Sequence, residues 1–240
     1  MKVLQILPQL NIGGVERGTL DLSKALIHKG HQSFVISGGG VLVDELTQCG
    51  AKHYEIPVHI KSLRTLSLAK RLSETISSID PDIVHVRSRM PAWVNYRAFK
   101  MLQKKPLLVS TFHGLYSFPI YSKVMSFVDH SIAISKTVER YILENYKLDK
   151  GDITVIPRGC DPLEFNNEVI NPVDKANIIE EFPQIVGKKV LTIPGRITKW
   201  KGVAEFIDLL SLLDDNYHGL IVGPTAKSKL KYLKKLQNKV

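Results

Sequence analysis

The stretch KVLQILPQLNIGGVERGTLDLSKALIHKGHQSFVIS, residues 2–37, decides the fold. It opens on one apolar run, KVLQILP (2–8), and closes on another, QSFVIS (32–37). Between them lie a glycine pair, Gly13–Gly14, and a segment over 15–28 with helical spacing of its apolar residues. Runs that are apolar nearly throughout suit strands buried on both faces. A strand, a helix and a second such strand form a βαβ unit with parallel strands.

The alternation continues downstream. Strands are predicted at 52–57, 82–87, 106–112, 131–135, 153–157, 190–194 and 219–223. Helices are predicted at 41–49, 65–79, 91–103, 119–127, 136–146, 174–181, 203–213 and 226–238. The class is therefore α/β, a doubly wound parallel sheet with helices on both faces. A polar stretch with asparagine and proline, DPLEFNNEVINP (161–172), breaks the periodicity. It divides the chain into a complete Rossmann-like domain, 1–165, and a second, 166–240, with only two clear strands. Two strands bury too little surface for a doubly wound sheet, so the second domain is expected to be incomplete.

Composition narrows the function classes. Hydrophobic residues make up 44% of the 240, an ordinary globular share. Two cysteines, Cys49 and Cys160, give no disulfide framework and point to a reducing, cytoplasmic setting. The N-terminus, broken by Gln5 and Pro8, reads as a strand and not as a signal peptide. A net charge of +10 favours anionic partners, among them phosphorylated metabolites and acidic lipid surfaces. Six lysines and no acid fall within 227–240, so contact with an anionic membrane surface is a further expectation.

In an open parallel sheet, ligands bind beyond the carboxyl ends of the strands. Those ends carry the unusual residues. Gly13, Gly14 and Glu16 follow the first strand, Arg87 and Arg89 the fourth, His113 the fifth, and Arg158 the seventh. The eighth leads into GRITKWKG (195–202), with Arg196 and Lys201 between two glycines. An arginine fork and a lysine point charge before a helix suit a phosphate-bearing ligand. Glu16, Arg87, Arg89 and Arg158 are read as candidate acceptor or phosphate contacts, each of the arginines equally compatible with a solvated surface role. His85 lies within a strand and reads as packed. Asp80 and Asp82 precede a strand, on the wrong edge for a site, and read as a turn. The GGGVLV run (38–43) lacks the third glycine of a dinucleotide fingerprint. There is no GxxxxGK[ST] loop, no zinc-type cysteine and histidine spacing, and no GxSxG elbow.

The runs NIGGVERGTLDLSKALIHKGH, DIVHVRSRMPAW, STFHG, AISKTVERYI, VIPRGCDPLEF and GRITKWKG together resemble family 4 glycosyltransferases of the GT-B fold. HVRSRMPAW is similar to members that act on lipopolysaccharide or other cell-surface glycans. The resemblance implies transfer of a sugar from a nucleotide-diphosphate sugar to a glycan or lipid-linked acceptor, with retained configuration. It implies no cofactor, no metal and no nucleic acid. Arg196 and Lys201 would clamp the donor diphosphate, Gly13 and Gly14 would lie near the phosphates and the acceptor, and His113 would sit beside the donor sugar as the catalytic residue. Family members also carry a Glu-x7-Glu motif later in the second domain, which this sequence does not reach before Val240. Two other readings stay open on the sequence. One is an inactive glycan- or lipid-binding remnant, and the other is a nucleotide-sugar epimerase of the same fold.

Overall fold

The computed structural model describes residues 1–60, 67–116, 119–163, 165–166, 171–226 and 229–240. It divides into two compact units, Met1–Gly159 and Cys160–Val240.

The first unit is built on seven parallel strands: β1 (Lys2–Ile6), β2 (Gln32–Ser37), β3 (Lys52–Glu55), β4 (Ile83–Val86), β5 (Leu107–Phe112), β6 (His130–Ala133) and β7 (Ile153–Val155). Their order across the sheet is β3-β2-β1-β4-β5-β6-β7. β1 pairs with β2 from Lys2↔Gln32 to Ile6↔Ile36, and with β4 from Val3↔Ile83 to Ile6↔Val86. The chain therefore winds outward on one side of β1, then crosses back to β4 and winds outward on the other. This reversal makes the carboxyl ends of β1 and β4 the switch point, the place where sheets of this kind bind ligands.

Helices α1 (Gly14–His28) and α2 (Val43–Gln48) cover one face. Helices α3 (Ala69–Ile79), α4 (Arg89–Phe99) and α5 (Lys136–Asn145) contribute to the core on the other. Strand period decides which residue meets which helix. Leu4, Ile6, Phe34 and Ile36 join the core with Leu72, Ile76, Val94 and Ile142, whereas Val35 packs with Leu20 and Leu46. α5 is capped by Ser135, whose hydroxyl accepts from the Val138 N–H at 3.2 Å.

The face under α1 holds a polar exception. Gln5 of β1 is fully buried and donates through Nε2 to the Thr19 carbonyl at 3.1 Å and to Ser23 Oγ at 3.0 Å. Ser33 of β2 donates to Ser23 Oγ at 2.9 Å. Gln5 Oε1 accepts from Arg87 Nη1 at 2.8 Å, which ties β1 to the carboxyl end of β4. A buried polar chain of this kind is stable only while each member keeps its partner.

All nine strands expected from the sequence form, most of them one or two residues shorter. The helix expected over 119–127 does not. It is a four-residue helical turn, Pro119–Ser122, followed by a 3-10 turn, Lys123–Ser126. α4 begins at Arg89, not 91, so Arg89 is helical. The start of the helix expected at 65 lies outside the described residues, as do 227–228 in the last one. Asp80 and Asp82 lie in the turn before β4. Asp80 meets Lys104 Nζ at 2.7 Å, and Asp82 accepts from the Lys2 N–H at 2.7 Å. The GGG run packs its loop on the loop after β1, through Gly38 N–H to Pro8 O at 2.9 Å and Leu10 N–H to Gly39 O at 2.8 Å.

In the second unit β8 (Lys189–Pro194) and β9 (Tyr217–Val222) pair in parallel from Lys189↔Tyr217 to Pro194↔Val222. Three helices join them: α6 (Pro172–Glu181), α7 (Val203–Leu210) and α8 (Leu230–Gln237). Ile197, Val203, Ile207 and Leu236 form its core, with Ile193, Tyr232 and Leu233 against them. The lysine-rich α8 thus spends its apolar side on packing. The strands end on two glycines that close on each other, with Gly195 N–H donating to Val222 O at 2.8 Å.

Two substitutions test these contacts. Gln5→Leu leaves the buried Arg87 guanidinium without its acceptor and is expected to cost about 3 kcal/mol in urea unfolding. Gly223 has φ 155°, and a Cβ there would strike the Gly195 carbonyl. Gly223→Ala is therefore expected to lower stability by roughly 1–3 kcal/mol and to reduce the thermal midpoint.

Candidate functional site

The first unit gathers its site residues where β1 and β4 end. β4 alternates, so His85 and Arg87 point to the face that carries Gln5 and α1, while Val84 and Val86 join the opposite core. His85 Nε2 shares a 2.7 Å hydrogen bond with Thr111 Oγ1 of β5, both residues being buried. Arg87 is 6% exposed, yet its guanidinium carries a full charge at neutral pH. Burial and the nearby Arg158 pull its pKa down to about 10, while Asp21 and Glu16 act in the other direction from beyond ion-pair distance.

Arg158 follows β7 and reaches back across the sheet end. Its Nη1 donates to the Gly14 carbonyl, and its Nη2 donates to His113 Nδ1 at 2.9 Å. An arginine can only donate, so His113 must accept at Nδ1 and carry its proton on Nε2. That Nε2 is buried and has no hydrogen-bond partner among the described residues. Burial first, then Arg87 and Arg158, hold the His113 pKa down to about 3. Burial, with Arg87 and His113, holds His85 well below the ordinary value too. Both histidines are therefore neutral donors or acceptors at neutral pH.

α1 supplies the floor. Gly13 is its N-cap and is extended, with φ 176°, so any residue could adopt that backbone. The glycine keeps space instead, since a Cβ at Gly13 would meet the Glu16 carboxylate. Glu16 sits in the first turn, where an acid suits the helix dipole. Gly18, which the sequence reading passed over, matters more for space. A Cβ there would lie 3.3 Å from Arg87 Nη2 and 3.4 Å from Arg158 Nη1. Its signal in the sequence was a glycine one helical turn after Gly14, in the middle of a helix that glycine weakens. Gln5 was equally unmarked except as a polar residue in an apolar strand.

Arg89 does not join this group. It lies over the rings of Tyr116 and Tyr121, with centroid distances of 4.9 and 5.4 Å, and donates to Ser122 Oγ at 3.3 Å. The two arginines are two residues apart on the turn into α4, and the helix sends them to different surroundings.

In the second unit, Arg196 and Lys201 lie in the loop after β8, and both are exposed. Residues Lys199–Lys201 form a 3-10 turn that ends on Gly202, with φ 74°, from which α7 starts. Ile197 anchors the loop in the core and donates its N–H to the Pro224 carbonyl at 3.1 Å. Lys201 passes over Gly195, with Cε 3.8 Å from where a Cβ would stand, and its Nζ lies 4.7 Å from the Trp200 ring centroid. No group of three or more histidine, cysteine, aspartate or glutamate side chains among the described residues could hold a metal ion. Among those residues no helix is long and apolar enough to cross a membrane.

A parallel α/β sheet with charged residues on its carboxyl edge is an architecture that binds ligands at that edge, and comparison makes the family definite. The chain belongs to Glycosyltransferase Family 4, whose family model matches residues 12–163. It is 31% identical over 175 residues to the uncharacterized glycosyltransferase MJ1069 of Methanocaldococcus jannaschii, covering 64% of this chain and 43% of that protein. A glycosyltransferase structure from Rickettsia africae ESF-5 is 32% identical, with a TM-score of 0.82, over 99% of this chain and 64% of that one. Anabaena Alr3699/HepE, solved with UDP and glucose, has the same fold, with a TM-score of 0.82 at 18% identity, over 100% of this chain and 65% of its own. The chain thus spans less than half of that curated relative and under two thirds of these solved chains.

The pKa directions fix a pH dependence. The unfolded chain protonates its histidines near 6.5, and the folded chain protonates His113 only near 3. Between these values the unfolded state binds more protons, so stability falls as pH falls through the window. The slope is up to about 1.4 kcal/mol per pH unit for each histidine held neutral. Urea unfolding at pH 7 and pH 5 should show a slope shallower by about one proton for His113→Gln than for the wild type. Equal slopes would mean that His113 is not held neutral.

Proposed function

We propose that this glycosyltransferase moves a sugar from a nucleotide-diphosphate sugar, UDP- or GDP-linked, to a cell-surface glycan or lipid-linked acceptor, with retention and without a metal. The observation that carries the reading is the loop after β8, where Arg196 and Lys201 stand at the carboxyl end of a parallel strand just before α7. As the sugar bond breaks, negative charge grows on the leaving diphosphate. Fixed cations and a helix N-terminus stabilise that charge more in the transition state than in the ground state, and so lower the barrier. Such cations do the work that a bound metal does elsewhere. The Nε2–H of His113 is a fixed, neutral donor suited to a sugar hydroxyl. The UDP complexes of the HepE neighbour support a nucleotide sugar as donor.

The reading carries a location with it, cytoplasmic and peripheral on an anionic inner leaflet. Lys231, Lys234 and Lys235 are exposed on α8 while Leu236 is buried, so the charge is free to meet lipid headgroups.

Thermal unfolding with UDP, GDP or ADP tests the donor half. One nucleotide at about 100 Kd should add roughly 2.7 kcal/mol to stability. Arg196→Ala and Lys201→Ala should each remove most of the gain, and EDTA should leave it unchanged. A gain from no nucleotide, or one unaffected by Arg196→Ala, would refute the clamp.

A further inference from the structure

We propose that Arg87 and Arg158 form an oxyanion site of the first unit that binds a phosphate group. The argument starts from charge without countercharge. Arg87 is more than nine-tenths buried, and the one hydrogen-bond partner of its guanidinium among the described residues is the neutral Gln5 side chain. Its Nε is buried with no partner among the described residues. Among the described residues Arg158 bonds two acceptors, both neutral, the Gly14 carbonyl and His113 Nδ1. Neither arginine forms an ion pair among the described residues.

Two cations held in this way repel each other, and the buried one has lost its hydration. The fold nevertheless brings both guanidinium groups to the same bare patch of α1 at Gly18. Arg158 also holds the His113 ring through Nδ1 at 2.9 Å. The acids that act on Arg87, Asp21 and Glu16, do so only through space. A ligand oxyanion would supply what the site lacks. Two guanidinium forks offer several N–H donors and a charge that matches a phosphate dianion. A merely structural arginine pair would instead have a carboxylate between its members.

The proposal rests on the glycosyltransferase reading for the source of the phosphate. An acceptor that carries a phosphate group and the donor diphosphate offer the same chemistry. Calorimetric titration separates them, with inorganic phosphate and UDP as probes and the full chain as wild type, Arg158→Gln, Arg87→Lys and Arg196→Ala. Arg158 is exposed, so Arg158→Gln should fold normally. Arg87→Lys keeps the buried charge and loses the fork.

We expect phosphate affinity to fall about tenfold or more in Arg158→Gln and in Arg87→Lys, and to be unchanged in Arg196→Ala. If phosphate still binds beside saturating UDP, and UDP affinity is unaffected by Arg158→Gln, the group belongs to an acceptor. If UDP displaces phosphate and itself weakens in Arg158→Gln, the group belongs to the donor. Phosphate binding that is absent, or equal in wild type and Arg158→Gln, with UDP equally unaffected, overturns the site. A failure of the donor reading looks different, because UDP would then not bind while phosphate binding still depended on Arg158.

Discussion

A buried side-chain hydrogen bond, from Arg87 Nη1 to Gln5 Oε1 at 2.8 Å, reinforces the backbone ladder between β1 and β4, the two strands on which the first unit is wound. β1 and β4 are adjacent in the sheet and far apart in the chain, and their carboxyl ends mark the point where the winding reverses. A charged group placed there has to be held, because an unpartnered guanidinium in a dry interior costs several kcal/mol. Gln5 does this without neutralising the charge. Its amide also binds Thr19 and Ser23, so α1 is fixed in the same network. Sheet, helix and cation are therefore set by one buried chain of neutral acceptors.

The neutrality of these partners has consequences for chemistry. A carboxylate beside Arg87 would have given a closed ion pair of little use to an anionic ligand. Amide, carbonyl and imidazole acceptors fix the arginines in place and leave their field unspent. Burial first, and then that field, holds His85 and His113 neutral, which makes His113 a donor at Nε2. In the second unit the solution differs. Arg196 and Lys201 are exposed and keep their hydration, and their order comes from backbone. Ile197 buried on one side, and a left-handed Gly202 on the other, set the course of the loop.

Much of this was legible in the residues. Apolar runs such as QSFVIS and DIVHVR mark buried parallel strands, because only a strand covered on both faces can be apolar on both. The positions of Gly14, Arg87, His113, Arg158, Arg196 and Lys201 after strands placed them all on carboxyl edges, since every strand in a parallel sheet ends on the same side. The short turn at Pro119–Ser122 was misread as a full helix because its apolar residues carry a helical period without the length to propagate one. Arg87 and Arg89 look alike in RSR, but Arg87 ends a strand whose alternation sends it under α1. Arg89 opens a helix and lies against Tyr116 and Tyr121.

By itself, the sequence determined the class of fold, the order of its elements and the edge on which charged residues collect, because periodicity and connection length depend on neighbours in the chain. Only the tertiary structure decided which of those residues meet. Arg158 finds Gly14 across 144 positions and His113 across 45, and Gln5 finds Arg87 across 82. Gly18 acquires its meaning only once two guanidinium groups rest on the space it leaves. Those pairings follow from strand order and register, which no local pattern specifies. They bring Arg87, Arg158 and His113 together at the carboxyl edge of the first unit.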